Sequence, residues 1–219
     1  MASNSQNSVV LGYWNIRGLV NSIRLLLEHV GQKYEYQAVD GEKWFGGQKH
    51  SMGLPFPNLP YLIDGNTKLT QSRAILKYLA RKHGLVATSE EEMQKQDMVD
   101  GVLLDIQNNW GRLVYASEDF EQEKQKFMKE KVDNFRGLDK WLSNQQYVTG
   151  NKLNFLDFAL LEQLEGHAAA MPELLNQFPN LQKYRERMMN LKGVKEYLTS
   201  DRNPEDWNGP QAKWGAMKM

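Results

Sequence analysis

Leu59-Pro60-Tyr61-Leu62-Ile63-Asp64-Gly65-Asn66-Thr67-Lys68-Leu69-Thr70-Gln71-Ser72 reads as a strand, a turn, a second strand and a helix start. Tyr61 to Ile63 is short, apolar and partly β-branched, Asp64-Gly65-Asn66 supplies the turn, and Lys68-Leu69-Thr70 returns as the second strand. Gln71 and Ser72 then open a helix in which Ile75, Leu76 and Leu79 recur at helical spacing, ended by His83-Gly84. Free N–H groups and small polar side chains at a helix start make a carboxylate site. Leu59 precedes a proline at a strand edge. If that bond is cis, its backbone turns outward and can pair with an extended peptide as an added strand.

Working outward, Val9 to Tyr13 reads as a strand, Ile23 to Val30 as a helix with Gly31 past its end, and Tyr34 to Val39 as another strand. A loop rich in glycine and aromatics, Gly41 to Gly53, precedes the hairpin. Strand, helix, strand, hairpin and helix fit a thioredoxin-like α/β layer over residues 9–86, after a loose tail at 1–8. Val86 to Ser89 reads as a linker, with Ser89 and Glu92 forming a capping box for the next helix. From residue 90 to 219 helical periods dominate. Val99, Val102, Leu103, Ile106, Trp110, Leu113 and Val114 form one apolar stripe. Asp97, Gly101, Asp105, Asn108, Arg112 and Tyr115 fall on the opposite side, a face that is ordinarily solvated. Farther on, Asn154 and Asp157 cap a helix apolar nearly all round, expected as the spine of the helical part.

Composition narrows the chemistry. The chain has 219 residues with 27 basic and 27 acidic side chains, which gives no reason to expect nucleic acid or an anionic membrane as partner. Ten basic against five acidic residues from Met1 to Leu85 suit a small anionic ligand, although chance variation between two solvated surfaces explains the bias as well. There is no cysteine, so sulfur chemistry requires a thiol supplied by a ligand. His29, His50, His83 and His167 are scattered without metal-ligand spacing, and no metal is expected. The N-terminus lacks an apolar signal region and no run is long enough to span a bilayer, so a soluble, cytoplasmic protein is expected.

Leu11-Gly12-Tyr13-Trp14-Asn15-Ile16-Arg17-Gly18-Leu19, Pro57-Asn58-Leu59-Pro60 and Leu69-Thr70-Gln71-Ser72, in this order along the chain, resemble the cytosolic glutathione transferases of the mu class. The likeness runs through Asp105, Tyr115, Gly150 and Asp157 and fades over the last fifteen or so residues. On its own, Tyr13 reads as a half-buried strand aromatic. The resemblance implies instead that its hydroxyl is catalytic, stabilising the thiolate of reduced glutathione, which serves as co-substrate with no separate cofactor. It further implies that Gln71 and Ser72 hold the γ-glutamyl carboxylate, Leu59 pairs with the cysteinyl backbone beside Asn58, and Trp44 and Lys49 hold the glycyl end. Trp14 and Leu19 close that site, and Asp105 reaches across from a second subunit of a homodimer keyed by Phe56. Ile16 and Tyr115, with Tyr13 and Leu19, line the electrophile pocket.

Three departures stand out. The loop before Trp44 is short, as in helminth mu-type proteins, and lacks the arginine that the vertebrate pattern places at the glycyl end. One extra residue near Gly46-Gly47 leaves Gln48 and His50 as alternatives to Lys49. The tail from Asn203 to Trp214 is polar and glycine-rich where the family places an apolar side chain, which implies a more open pocket. The expected fold is a thioredoxin-like domain followed by a helical domain, and the expected activity is conjugation of glutathione to small hydrophobic electrophiles. The alternatives are a non-catalytic carrier or structural protein of the same fold, and glutathione-dependent isomerisation or peroxide reduction.

Overall fold

The computed structural model describes residues 9–218, so the expected tail at residues 1–8 lies outside the described residues. The first part runs β1 (Val9–Tyr13), α1 (Asn21–Val30), β2 (Tyr34–Ala38), β3 (Tyr61–Asp64), β4 (Thr67–Thr70) and a closing helix Ser72–Lys82. The strands form one sheet in the order β2-β1-β3-β4. β2 lies parallel to β1, which α1 makes possible by crossing over between them. β3 runs antiparallel to β1, with Leu11 opposite Leu62, and β4 returns antiparallel to β3, with Asp64 opposite Thr67. This mixed sheet with α1 and the closing helix packed on it is the thioredoxin-like arrangement.

The stretch expected as a loop between β2 and β3 is largely helical. Two single turns, α2 (Gly41–Lys43) and α3 (Lys49–Ser51), flank a π turn at Trp44–Gln48. The Lys49 N–H bonds the carbonyl of Trp44, five residues back, and Gly47 sits at φ 133°. A π turn takes one residue more than an α turn over the same path. Glycine at position 47 permits the positive φ that this wider turn requires. The helix Ser72–Lys82 is α4.

The second part is helical: α5 (Glu90–Ala116), α6 (Phe120–Glu130), α7 (Asp133–Trp141), α8 (Phe155–Ala170), α9 (Pro179–Met189) and α10 (Val194–Leu198). Ser89 and Glu92 cap α5 reciprocally, and Asn154 and Asp157 do the same for α8. Along α8, Phe158, Leu160, Leu161 and Leu164 are all fully buried, which makes it the spine that its apolar sequence implies. Asp157 is buried with it and takes donors from the Val148 N–H (3.0 Å), the Asn154 N–H (2.7 Å) and the Tyr184 hydroxyl (2.6 Å). The two parts are bolted together by charge. Arg73 and Lys77 of α4 both pair with Asp100 of α5, and Arg17, ahead of α1, pairs with Glu162 of α8.

Candidate active site

Where the end of β1 and the first turn of α4 face α5 and α8, the chain leaves a cleft of about 820 Å³. Tyr13, Leu19 and Ser72 line it from the sheet side, and Trp110, Gly111, Tyr115 and Gln163 from the helical side. Residues distant in sequence thus meet in one concave site with both apolar and hydrogen-bonding walls, the usual character of a small-molecule pocket.

Tyr13 is the last residue of β1 and is 6% exposed. Its backbone carbonyl and that of Trp14 both accept from the Tyr36 hydroxyl, which fixes the strand end. Its own hydroxyl oxygen accepts the Leu19 N–H at 3.3 Å. That contact depends on Gly18, whose φ of 41° turns the chain back over the ring. Burial pushes the Tyr13 hydroxyl up to about 12, with the Leu19 N–H pulling the other way. The phenol therefore stays protonated at neutral pH. With its oxygen engaged by Leu19, its proton is free to donate into the cleft.

The turn that carries Leu19 is held from the far part of the chain. Arg17 is 5% exposed and makes a two-pronged pair with Glu162, at 2.9 and 2.7 Å. Asn21 donates to the same carboxylate at 2.8 Å. Burial favours loss of the Arg17 proton, but the Glu162 carboxylate outweighs it and holds the guanidinium charged.

At the head of α4, Gln71 has φ 71° and ψ 112° and is the single non-glycine residue at positive φ among the described residues. Such a backbone is sparsely populated and costs on the order of 1–3 kcal/mol, a cost that tends to be retained at binding sites. It presents the free N–H groups of an 11-residue helix with no acidic side chain in its first turn, a suitable seat for a carboxylate.

Of the residues singled out from the sequence, Tyr13, Leu19, Ser72 and Tyr115 line this cleft. Ile16 does not: it is 2% exposed, and the Arg24 guanidinium bonds its carbonyl at 3.0 Å, holding the loop so that the side chain enters the core. Trp44 is also buried, stacked on Tyr61 with ring centres 6.2 Å apart. Lys49 is partly exposed at the start of α3, and the Trp14 ring lies 6.2 Å from that of the exposed Phe45. The Leu59–Pro60 bond is cis. The Leu59 N–H, expected to be free for an added strand, is taken by the Asn58 side-chain oxygen at 2.9 Å, because an asparagine side chain closes easily on the next backbone donor. Gln71 and Asn58 are exposed. Asp105 is exposed on α5 and Phe56 on its own loop, both off the cleft wall. Among the described residues no group of histidine, aspartate and glutamate side chains is arranged to hold a metal ion.

The tail is the part that sequence reasoning misread. Instead of leaving the cleft open, it folds across it, and Trp207 and Asn208 join the lining. Trp207 and Asn208 both bond the carbonyl of Gly215, at 3.0 and 2.8 Å. The Lys213 N–H reaches Val114 of α5 at 2.8 Å, and the Gly209 N–H donates to the Tyr115 hydroxyl at 3.0 Å. Trp110, Trp207 and Trp214 cluster, with Trp214 5.4 Å from Trp110 and 5.7 Å from Trp207. Two tryptophans in so polar a tail were the available signal, since large aromatics rarely stay unburied.

Residues 9–81 match the glutathione S-transferase N-terminal domain family and residues 104–201 the C-terminal domain family. Glutathione S-transferase Mu 1 of Bos taurus is 40% identical over 89% of this chain and 92% of its own. The class-mu 26 kDa isozyme 1 of Fasciola hepatica is 40% identical over 94% of this chain and 93% of its own. Among solved structures, the glutathione S-transferase Blo t 8 superposes with a TM-score of 0.87 at 32% identity, covering 94% of this chain and 99% of that one. The pi-class enzyme of Onchocerca volvulus gives 0.83 at 28% identity, covering 94% and 100%. With both halves of the family matched in order and curated mu-class relatives this similar over most of the length, the chain belongs to the glutathione S-transferase family, with the mu class.

Proposed function

We propose that this transferase joins the thiol of reduced glutathione to small hydrophobic electrophiles and that the Tyr13 hydroxyl stabilises the thiolate. The observation that carries the reading is the Tyr13 hydroxyl itself, buried at the cleft, held by the Leu19 N–H and kept protonated with its hydrogen unused. A free thiol of pKa about 8.5 is only a few per cent ionised at neutral pH, and the thiolate is the nucleophile. A donated hydrogen bond stabilises the charged sulfur and leaves the neutral thiol little changed, so it lowers the pKa of the thiol. The thiol proton passes to solvent, the sulfur bonds the electrophilic carbon, and that carbon's leaving group departs with the electron pair. Holding both reactants in one cleft supplies much of the remaining acceleration.

In this reading Gln71 and Ser72 receive the γ-glutamyl carboxylate at the positive end of α4, and Lys49 meets the glycyl carboxylate. Asn58 swings aside to release the Leu59 N–H for the cysteinyl unit. Tyr115, Trp110 and Trp207 form the electrophile wall. The enzyme acts as a cytoplasmic homodimer. The support is Phe56, 75% exposed between two prolines, together with Met98 and Leu104, exposed at 56% and 42% on α5. Large exposed apolar side chains of this kind suit a subunit interface. Asp105, exposed and off its own cleft, is then free to serve the partner's ligand. Among the described residues no helix is long and apolar enough to cross a membrane.

The test is conjugation of glutathione to chlorodinitrobenzene, followed by absorbance, with wild type beside Tyr13→Phe. Robust wild-type turnover that falls by about 10²-fold in the variant, the loss of about 2.7 kcal/mol of stabilisation, supports the assignment. Equal turnover in the two removes the role of Tyr13, and glutathione binding without turnover in either favours a carrier.

A further inference from the structure

Three consecutive backbone N–H groups of the turn beside Tyr13 have unrelated acceptors. Arg17 donates to the carbonyl of Asp206 at 2.9 Å, Gly18 to the carbonyl of Trp207 at 2.9 Å, and Leu19 to the Tyr13 hydroxyl at 3.3 Å. The first two acceptors belong to the C-terminal tail, nearly two hundred residues away. The Trp207 ring also lies against the Arg17 guanidinium, whose carbon is 3.6 Å from the ring centre. The Nε–Nη2 edge of that guanidinium is committed to Glu162. A cation between a carboxylate and an indole face has few alternative positions. Trp207 is in turn packed by the tail itself, since a Cβ added to Gly215 would lie 2.9 Å from the Cβ of Trp207.

We propose that Trp207 is a positioning residue for thiol activation: by docking on Arg17 it holds the Arg17–Leu19 turn so that the Leu19 N–H stays on the Tyr13 hydroxyl. The phenol oxygen accepts from Leu19, which fixes its orientation and polarises its own O–H for donation. If Trp207 is removed, Arg17 and Gly18 lose the packing that seats their acceptors. The turn gains freedom, and the Tyr13 hydroxyl no longer has one preferred direction. The tail therefore acts on the nucleophile and not only on the electrophile that it covers. The inference rests on Tyr13 stabilising the glutathione thiolate.

The experiment titrates the thiol of bound glutathione by its ultraviolet thiolate absorbance, without electrophile, so that a change in the pocket wall alone leaves the reading unmoved. Wild type, Trp207→Ala, Trp207→Phe and Tyr13→Phe are compared, each checked for native circular dichroism. The midpoint is expected to rise by about one pH unit in Trp207→Ala, a tenfold loss of thiolate below it, and to recover largely in Trp207→Phe, which keeps a ring against Arg17. Adding Trp207→Ala to Tyr13→Phe should move the midpoint no further. A Trp207→Ala midpoint equal to wild type overturns the inference, as does a shift that persists undiminished in the Tyr13→Phe background. A wild-type thiol no more acidic than free glutathione removes the underlying reading, and the inference with it, before any variant is compared.

Discussion

Gly18 and Tyr13 share one volume: a methyl group built on Gly18 would lie 2.8 Å from the Tyr13 hydroxyl and from the edge of its ring. The phenol occupies space that any other residue at position 18 would claim. The positive φ of 41° at Gly18 adds a second penalty for a side chain there. Gly18→Ala is expected to cost about 1–2 kcal/mol in urea unfolding and to reduce turnover about tenfold by displacing the hydroxyl. Full activity in a folded Gly18→Ala protein would show that the hydroxyl does not depend on this packing.

The protonation of Tyr13 makes a separate prediction about pH. A phenol held at about 12 does not ionise across the working range, so it stays a donor there. The acidic limb of a kcat/KM profile then belongs to the glutathione thiol. In Tyr13→Phe that limb should move up toward the free-thiol value of about 8.5, with activity partly recovered at alkaline pH. A limb unmoved by the substitution would mean that another group stabilises the thiolate.

These two predictions depend on structure that was unevenly legible in the sequence. β3, β4 and the head of α4 could be read because a hairpin at Asp64-Gly65 and a polar helix start are local signals. The cap of α8 was equally local: Asn154 and Asp157 are three residues apart and satisfy each other's backbone. Ile16 was misplaced because loop direction is set by a distant side chain, here Arg24 on the Ile16 carbonyl. The π turn at Trp44–Gln48 stands where a loop was expected, because paired glycines read as loop punctuation in a sequence while Gly47 supplies the positive φ that the wide turn needs. The Arg17–Glu162 pair joins residues 145 apart, and no periodicity encodes it. The tail was misread for the same reason. Its glycines and polar side chains resemble a loose segment, while its order comes from backbone bonds to Val114 and to the loop beside Tyr13.

Phe56 offers a test of assembly. Its carbonyl accepts the Thr70 hydroxyl at 2.8 Å, and prolines stand on both sides, so the loop is fixed while the ring projects into solvent. Phe56→Ala should leave the subunit folded and weaken the proposed dimer by about 10–100-fold, or about 1.4–2.7 kcal/mol. Sedimentation at several concentrations measures this. If Asp105 serves the partner's ligand, KM for glutathione should rise at dilutions where the variant dissociates. Unaltered dimer dissociation would remove Phe56 as the key, and an unchanged KM in the monomer would remove Asp105 from the site.

His167 links the core to pH. It is 1% exposed on α8, and its rings of contact are Trp110 at 4.5 Å, Phe135 at 4.9 Å and Phe127 at 5.6 Å. Nδ1 lies 2.7 Å from the Gln163 carbonyl, which can only accept, so Nδ1 carries the proton. Nε2 has no partner among the described residues, and a second proton there would put a charge in an aromatic cage. Burial accordingly pushes the imidazole down to about 4 in the folded protein, against about 6.5 in the unfolded chain. The folded form resists protonation that the unfolded chain accepts. The stability it contributes is complete above pH about 6.5 and is lost as pH falls toward 4, at about 1.4 kcal/mol per pH unit inside that window. Asp157 on the same helix has the opposite sign, because burial holds it up at about 7 and its contribution declines as pH rises to that value. The measurement is therefore a difference in which Asp157 is common to both proteins: urea unfolding of wild type and His167→Leu at pH 7 and pH 5. Wild type should lose about 2 kcal/mol more than His167→Leu between the two, and an identical response would show that His167 does not titrate between folded and unfolded states in this range.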